Sequence, residues 1–329
     1  IDEPETNTPC GTLTGGRSGA CYKMAEIVDD KTVKNHWVMK SVKSLNSLVE
    51  WQTNEYKTIR KSQHDYHDPE LLKQLANKYS TMASSLAEIG GKETATAIKY
   101  YFKGIKVDPK VEGNYQIIPL LEKSAKKPYD FMKIVEVCTS ARSNLPGEKI
   151  DFVISEAEAY FNAGKVDQAT NLFNSIDKYV SKDQIETWAK NKKERVKLNK
   201  KESNRIAAFI SFLNHRAIHF RKIGQYENSF NDLNTAISLD AESSYFDIYY
   251  NLAKAMLSAL GDKNTRTNYT EKKALDHLSK AITITLNVNL QTYENLLKTI
   301  KDDAIFNPFI EDIRQFLRDS QYSIPIFFK

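Results

Sequence analysis

A short pattern of side-chain sizes recurs along most of this sequence of 329 residues. In each occurrence a small residue is followed four positions later by a large apolar or aromatic residue, and three positions after that by a small or apolar residue. Residues with this spacing lie on one face of an α-helix, so the pattern predicts helices that pack closely along a narrow stripe. The pattern occurs at Ala97, Tyr101 and Gly104, at Ala169, Phe173 and Ile176, at Ser229, Leu233 and Ala236, and at Ala274, Leu278 and Ala281.

A second helical stripe precedes three of these stripes. Turns are predicted between the two at Gly164-Lys165 and at Gly224-Gln225, because glycine commonly ends helices and opens tight turns. The repeated unit is therefore a helix, a tight turn and a second helix. The preceding stripes are Ala157 and Tyr160, Ala217 and Phe220, and Ala253 and Met256.

This unit resembles the tetratricopeptide repeat (TPR), a helical hairpin of about 34 residues that stacks with its neighbours. The resemblance implies an all-α fold, an α-α superhelix or TPR-like solenoid, over residues 45–317. It is strongest over 210–243, where the matching residues are Leu213, Ala217, Phe220, Gly224, Tyr226, Leu233 and Ala236. The expected segments are units at about 78–111, 112–145, 150–183, 210–243 and 246–287, a cap at 292–317 and a tail at 318–329.

Residues 1–44 do not fit the repeat and are rich in glycine and acidic residues. This composition favours an irregular N-terminal segment with a small hairpin near Asp29-Asp30. A helix is expected from about residue 45 to residue 62, with Trp51 and Tyr56 facing the first repeat.

Two cysteines, Cys10 and Cys21, lie close together in this segment. A disulfide between them would fit a secreted or periplasmic protein, and the first residue, Ile1, would fit removal of a leader. Two unpaired thiols are the alternative. The location stays open, with an extracytoplasmic one favoured over a cytoplasmic one.

Several function classes are not supported by the sequence. No apolar run approaches the ~18–20 residues of a membrane span, and a net charge of +5 is too mild to indicate nucleic-acid binding. No Cys-x-x-Cys motif or nucleophile elbow is present, so no metal, cofactor or catalytic residue is predicted. His215 and His219 lie one helical turn apart, but a groove side chain and a packed histidine are expected there. The glycine-rich stretch 12–23 with Lys40 resembles the start of a protein kinase, but no His-Arg-Asp or Asp-Phe-Gly motif follows.

The resemblance to TPR proteins also implies where a partner would bind. In that family the first helices of successive units line a concave groove that holds a peptide or a partner helix. Arg221, Lys222 and Lys254 would favour an acidic segment or a terminal carboxylate, with Tyr250 as an apolar anchor. The residues at groove positions are Glu158, Phe161, Asn162, Asn214, Ile218, Arg221, Lys222, Tyr250 and Lys254.

These observations predict a non-catalytic scaffold or adaptor that binds a protein or peptide partner of acidic character. Two other classes stay open. One is a secreted or cell-envelope assembly component that acts through its N-terminal loop. The other is an enzyme with an unrecognised site.

Overall fold

In the computed structural model, α-helices joined by short connections make up most of the chain. The structure describes residues 11–63, 66–147, 150–175, 179–194, 198–240, 245–262, 270–320, 322, 324, 325 and 328, with side chains from residue 18 onward. These residues contain fifteen α-helices and no β-strand, so the all-α prediction is confirmed. The chain divides into a first unit, Ile1–Ala169, and a second unit, Thr170–Lys329.

Helices of the first unit pack against their neighbours in chain order, an arrangement compatible with a helical repeat. Two apolar cores hold them together, one under the first four helices and one between the third and seventh. The helices are α1 Gly11–Glu26, α2 Lys31–Ser62, α3 Pro69–Ile89, α4 Thr94–Val107, α5 Ile117–Ser124, α6 Pro128–Asn144 and α7 Ile150–Asn162, and α8 Val166–Asn174 contains the boundary between the units.

Gly104, one of the small residues of the sequence pattern, lies so close to a neighbouring side chain that no larger residue fits there. Gly104 of α4 packs on the buried side chain of Asn114, and a Cβ atom at Gly104 would lie 2.0 Å from Asn114 Oδ1. Ala97 and Tyr101, on the same face of α4, are also buried. The stripe is therefore the packed face of the helix, as its spacing predicts.

Helices of the second unit also pack mainly on their neighbours in sequence, and α10 additionally contacts α12. The predicted stripes of α11 and α13 are buried. Near the C-terminus, Phe328 is buried and its carbonyl accepts a 2.8 Å hydrogen bond from Arg314 Nε. The helices are α9 Lys182–Lys193, α10 Lys200–Lys222, α11 Tyr226–Leu239, α12 Phe246–Gly261, α13 Glu271–Val288, α14 Leu290–Asp302 and α15 Ile310–Asp319.

The two turns predicted from glycine are present. Gly164 follows α7 with a φ of 80°, and Gly224 follows α10 with a φ of 77°. A positive φ is accessible to glycine at little cost, so each helix ends here and the chain turns back into the next one.

The N-terminal region differs from the prediction of an irregular segment over 1–44, because α1 and the first part of α2 are helical. Ser18, Cys21 and Ala25 form a buried small-residue stripe on α1, and Ser18 Oγ lies 3.0 Å from Ser41 Oγ of α2. The packed face of α1 is built from small residues alone, so it lacks the large apolar residues that mark the other packed helices in the sequence. Asp30, where a hairpin was expected, caps α2 by accepting hydrogen bonds from two backbone N–H groups.

The expected helix over 45–62 is the second half of α2, which begins at Lys31. Tyr56 is buried as predicted. Trp51, by contrast, is 38% exposed.

Candidate functional site

Two of the predicted groove residues contact one carboxylate in the second unit, and the charge of a third interacts with it. Tyr250 donates its hydroxyl to Asp303 Oδ2 over 2.9 Å, and the Lys254 ammonium forms an ion pair with the same oxygen. Asp303 Oδ1 accepts a hydrogen bond from the backbone N–H of Ile305. Arg221, at the end of α10, is electrostatically coupled to this carboxylate. We call Arg221, Tyr250, Lys254 and Asp303 the Asp303 cluster.

The pKa values in the cluster reflect a partly buried site. Burial alone would raise the pKa of the Asp303 carboxyl, but the hydrogen bonds from Lys254 and Tyr250 bring it below its usual value. Burial and the hydrogen bond to Asp303 raise the pKa of the Tyr250 phenol, which stays protonated and donates. Burial lowers the pKa of the Arg221 guanidinium, while Asp303 acts in the opposite direction. The carboxylate is thus held ionised by cations and a hydroxyl.

The segment that supplies Asp303 also covers the apolar side of the cluster. Asp303 caps a short 3-10 turn, Ala304–Phe309, that follows α14. Phe306 of this turn is fully buried, and its ring centroid lies 5.5 Å from that of Tyr250. The predicted apolar anchor, Tyr250, therefore contacts an aromatic residue of its own chain.

The predicted groove residue Asn214 forms hydrogen bonds with side chains of its own chain. Its side chain donates to Asp247 Oδ2 over 2.7 Å and accepts from Asn251 Nδ2 over 2.9 Å. All three groups lie on α10 and α12, so this network links the two helices that carry Arg221, Tyr250 and Lys254.

The other predicted groove residues do not contact Asp303, whose side-chain partners within the described residues are Tyr250, Lys254 and the Ile305 backbone. On α10, Ile218 is half-buried and Lys222 is exposed. The remaining three belong to α7 in the first unit, where Glu158 and Phe161 are half-buried and Asn162 is exposed.

The histidine pair behaves as a structural element. His219 is buried, its Nε2 lies 2.8 Å from Thr170 Oγ1, and its ring packs against Phe173. Burial, aided by Lys222, lowers the pKa of His219 and favours the neutral ring. No group of His, Cys, Asp and Glu suited to a metal ion occurs in the described part of the chain.

The predicted disulfide involves Cys10, which lies outside the described residues. Cys21 is buried on α1 with a free thiol. The bridge therefore stays a prediction.

Asp303 is the functional residue that sequence reasoning missed. The cap prediction included its position, but it lies far along the chain from Arg221 and Tyr250, so no local spacing links them. The one sequence signal is its place before a short apolar turn, which is typical of a capping aspartate.

Comparison with models of known protein families gives no match, and comparison with curated proteins gives none. Among the residues that the structure describes, no helix is both long and apolar enough to cross a bilayer. The fold defines the class of this chain: an all-α protein of sequentially packed helices, compatible with a helical repeat.

Proposed function

We propose that this protein is a non-catalytic helical scaffold that binds an acidic segment of a partner protein at the Asp303 cluster. One observation carries the proposal. Tyr250 and Lys254, chosen from the repeat register alone, contact the same carboxylate, and Arg221, chosen in the same way, interacts electrostatically with it. The site thus has the chemistry that an acidic partner needs, and Asp303 is a stand-in for the partner's side chain.

The charges of the cluster leave room for a second carboxylate. Two cations, Arg221 and Lys254, face a single carboxylate, and Lys254 forms the ion pair with it. Arg221 Nε is buried and makes no hydrogen bond within the described residues. A half-buried guanidinium without a hydrogen-bonded counter-charge is costly, so a carboxylate that reaches Arg221 would be bound strongly.

The test measures binding of a fluorescein-labelled peptide rich in glutamate and leucine to the full chain by fluorescence anisotropy. Arg221→Gln should weaken binding by about tenfold, since a hydrogen bond to a charged group contributes ~1.5–3 kcal/mol. Asp303→Asn should tighten binding, because it removes the internal competitor. Lys272→Gln, which deletes an exposed cation of α13 outside the predicted groove, is the matched control and should change binding by less than about twofold.

The two variants at the cluster are expected to have opposite effects, which separates a binding role from a folding role. Equal affinity of R221Q and K272Q would overturn the proposal. So would an unchanged or weaker affinity of D303N when circular dichroism shows that its helices are intact.

A further inference from the structure

A cavity of about 970 Å³ lies among α2, α3 and α4 of the first unit. Its size is at the upper end of ordinary ligand pockets, ~300–1,000 Å³. We call it the basic pocket, because five of its lining residues are cationic. These are Lys57, Arg60, Lys61, Lys103 and Lys106.

Positive charge exceeds negative charge in the lining of the basic pocket. Its lining contains a single carboxylate, Glu50, against the five cations. All five cations are exposed, and none forms an ion pair within the described residues. The pocket thus carries an excess of positive charge that attracts an anionic ligand.

The positions of the five cations in the basic pocket are only partly explained by the ends of helices. Arg60 and Lys61 lie in the last turn of α2, and Lys106 lies in the last turn of α4. Cations are favoured there because they face the negative end of the helix dipole. Lys57 and Lys103 lie about one turn earlier, where that effect has fallen off.

The wall and floor of the basic pocket are apolar and fixed. Leu75 and Tyr79 are buried, and Leu72 and Val107 are half-buried. Tyr79 stacks on Tyr100 with ring centroids 6.1 Å apart. Lys103 lies over both rings, 5.7 Å and 5.2 Å from their centroids. A cationic rim around an aliphatic and aromatic floor suits a ligand that is both anionic and apolar.

We infer that the basic pocket is a second docking site, for an acidic amphipathic segment of a partner protein. The carboxylates of the segment contact the lysine and arginine rim, and one or two large apolar side chains pack on Leu72, Leu75 and Val107. This site is separate from the Asp303 cluster and does not depend on it. Charge complementarity sets its ligand class, because neutral apolar segments leave five cations unmatched.

The test uses the same glutamate- and leucine-rich peptide and a pair of matched double variants of the full chain. Lys57→Gln with Lys103→Gln removes two rim charges, and Lys34→Gln with Lys99→Gln removes two exposed charges from the same two helices outside the pocket. The rim variant should bind the peptide about tenfold more weakly at low salt, and its affinity should depend less on salt. The control variant should bind as the unaltered protein does.

Hydrogen exchange of the peptide complex shows which site is occupied. Protection of α2 and α4 that survives R221Q and disappears in K57Q/K103Q supports the basic pocket, and the reverse pattern assigns the peptide to the Asp303 cluster alone. Equal affinity of the two double variants would overturn the inference. So would equal binding of a peptide with serine in place of leucine, or tighter binding of a single-stranded oligonucleotide of matched charge.

Discussion

Positive charge has different surroundings in the buried ion pairs of this chain and in its basic pocket. Three cations that are largely removed from water form ion pairs with carboxylates of the same chain, namely Arg142 with Glu156 in the first unit, and Arg216 with Asp232 and Lys254 with Asp303 in the second. The five cations of the basic pocket stay at the surface, and the lining of the pocket contains a single carboxylate. The difference separates charges that the fold needs from charges that it does not.

Burial explains why the counter-charges of the second unit are internal. A cation removed from water loses its hydration, and only a nearby carboxylate with good hydrogen-bond geometry compensates. An exposed lysine keeps its hydration and needs no partner. Exposed cations gathered around an apolar floor are therefore free to serve an external ligand, whereas the Asp303 cluster has to combine binding with holding its own C-terminal segment.

The largest expected effect is at the most buried pair of the second unit. Asp232 is 6% exposed and accepts two hydrogen bonds from Arg216, at 2.8 Å from Nε and 2.6 Å from Nη2. Asp232→Asn leaves the Arg216 charge without its counter-charge and should lower the free energy of unfolding by about 3–5 kcal/mol. Unfolding in urea, monitored by circular dichroism, measures this change in the free energy of unfolding.

Asp276→Asn is the control for this substitution, because Asp276 is exposed on α13. It should change stability by less than about 0.5 kcal/mol. A loss below about 1 kcal/mol in D232N would contradict the view that buried cations of this unit require their carboxylates.

A smaller effect, with a defined pH dependence, is expected at Asp303. Its pKa in the folded chain lies below its usual value, so the ionised form stabilises the fold. That stabilisation is complete above the unfolded pKa of ~3.9 and is lost as the pH falls through the folded pKa. Unaltered protein should exceed D303N in stability by about 2 kcal/mol at pH 7, and the difference should shrink below about pH 4.

Unfolding of both proteins at several pH values between 7 and 3 checks this expectation. A stability difference that grows on acidification would reverse the sign and show that Asp303 is held in its protonated form. A difference that is constant with pH would assign the effect to packing of the turn that Asp303 caps.

The sequence predicts helices well where their packed faces are periodic. The stripes of α4, α11 and α13 were visible because a helix that packs on one side needs small and large residues at fixed spacing. The same reasoning failed for α1, whose packed face consists of Ser18, Cys21 and Ala25. The glycine-rich and acidic composition of this part of the sequence favoured a loop, and the contact with α2 is what identifies the small-residue stripe as a packed face.

The site was predicted in part for a similar reason. Tyr250 and Lys254 are one helical turn apart, so their common face follows from helix geometry, and the repeat register added Arg221. Asp303 and the basic pocket were not predictable, because their groups come from segments far apart in sequence. Lys57 and Lys103, for example, share the pocket only because α2 and α4 both pack on α3.

The smallest expected effect on stability is at the basic pocket. It tests whether exposed cations, unlike the buried ion pairs, can be removed without destabilising the fold. The K57Q/K103Q variant removes two exposed cations whose loss leaves no buried charge unmatched. Its free energy of unfolding should differ from that of K34Q/K99Q by less than about 1 kcal/mol, the upper range of an exposed cation–π contact such as that of Lys103. Urea unfolding of both variants, measured together with their peptide affinities, shows whether these cations serve the fold or the ligand. A loss comparable to that of D232N would mean that the fold requires these cations, and the distinction between the buried ion pairs and the basic pocket would no longer hold.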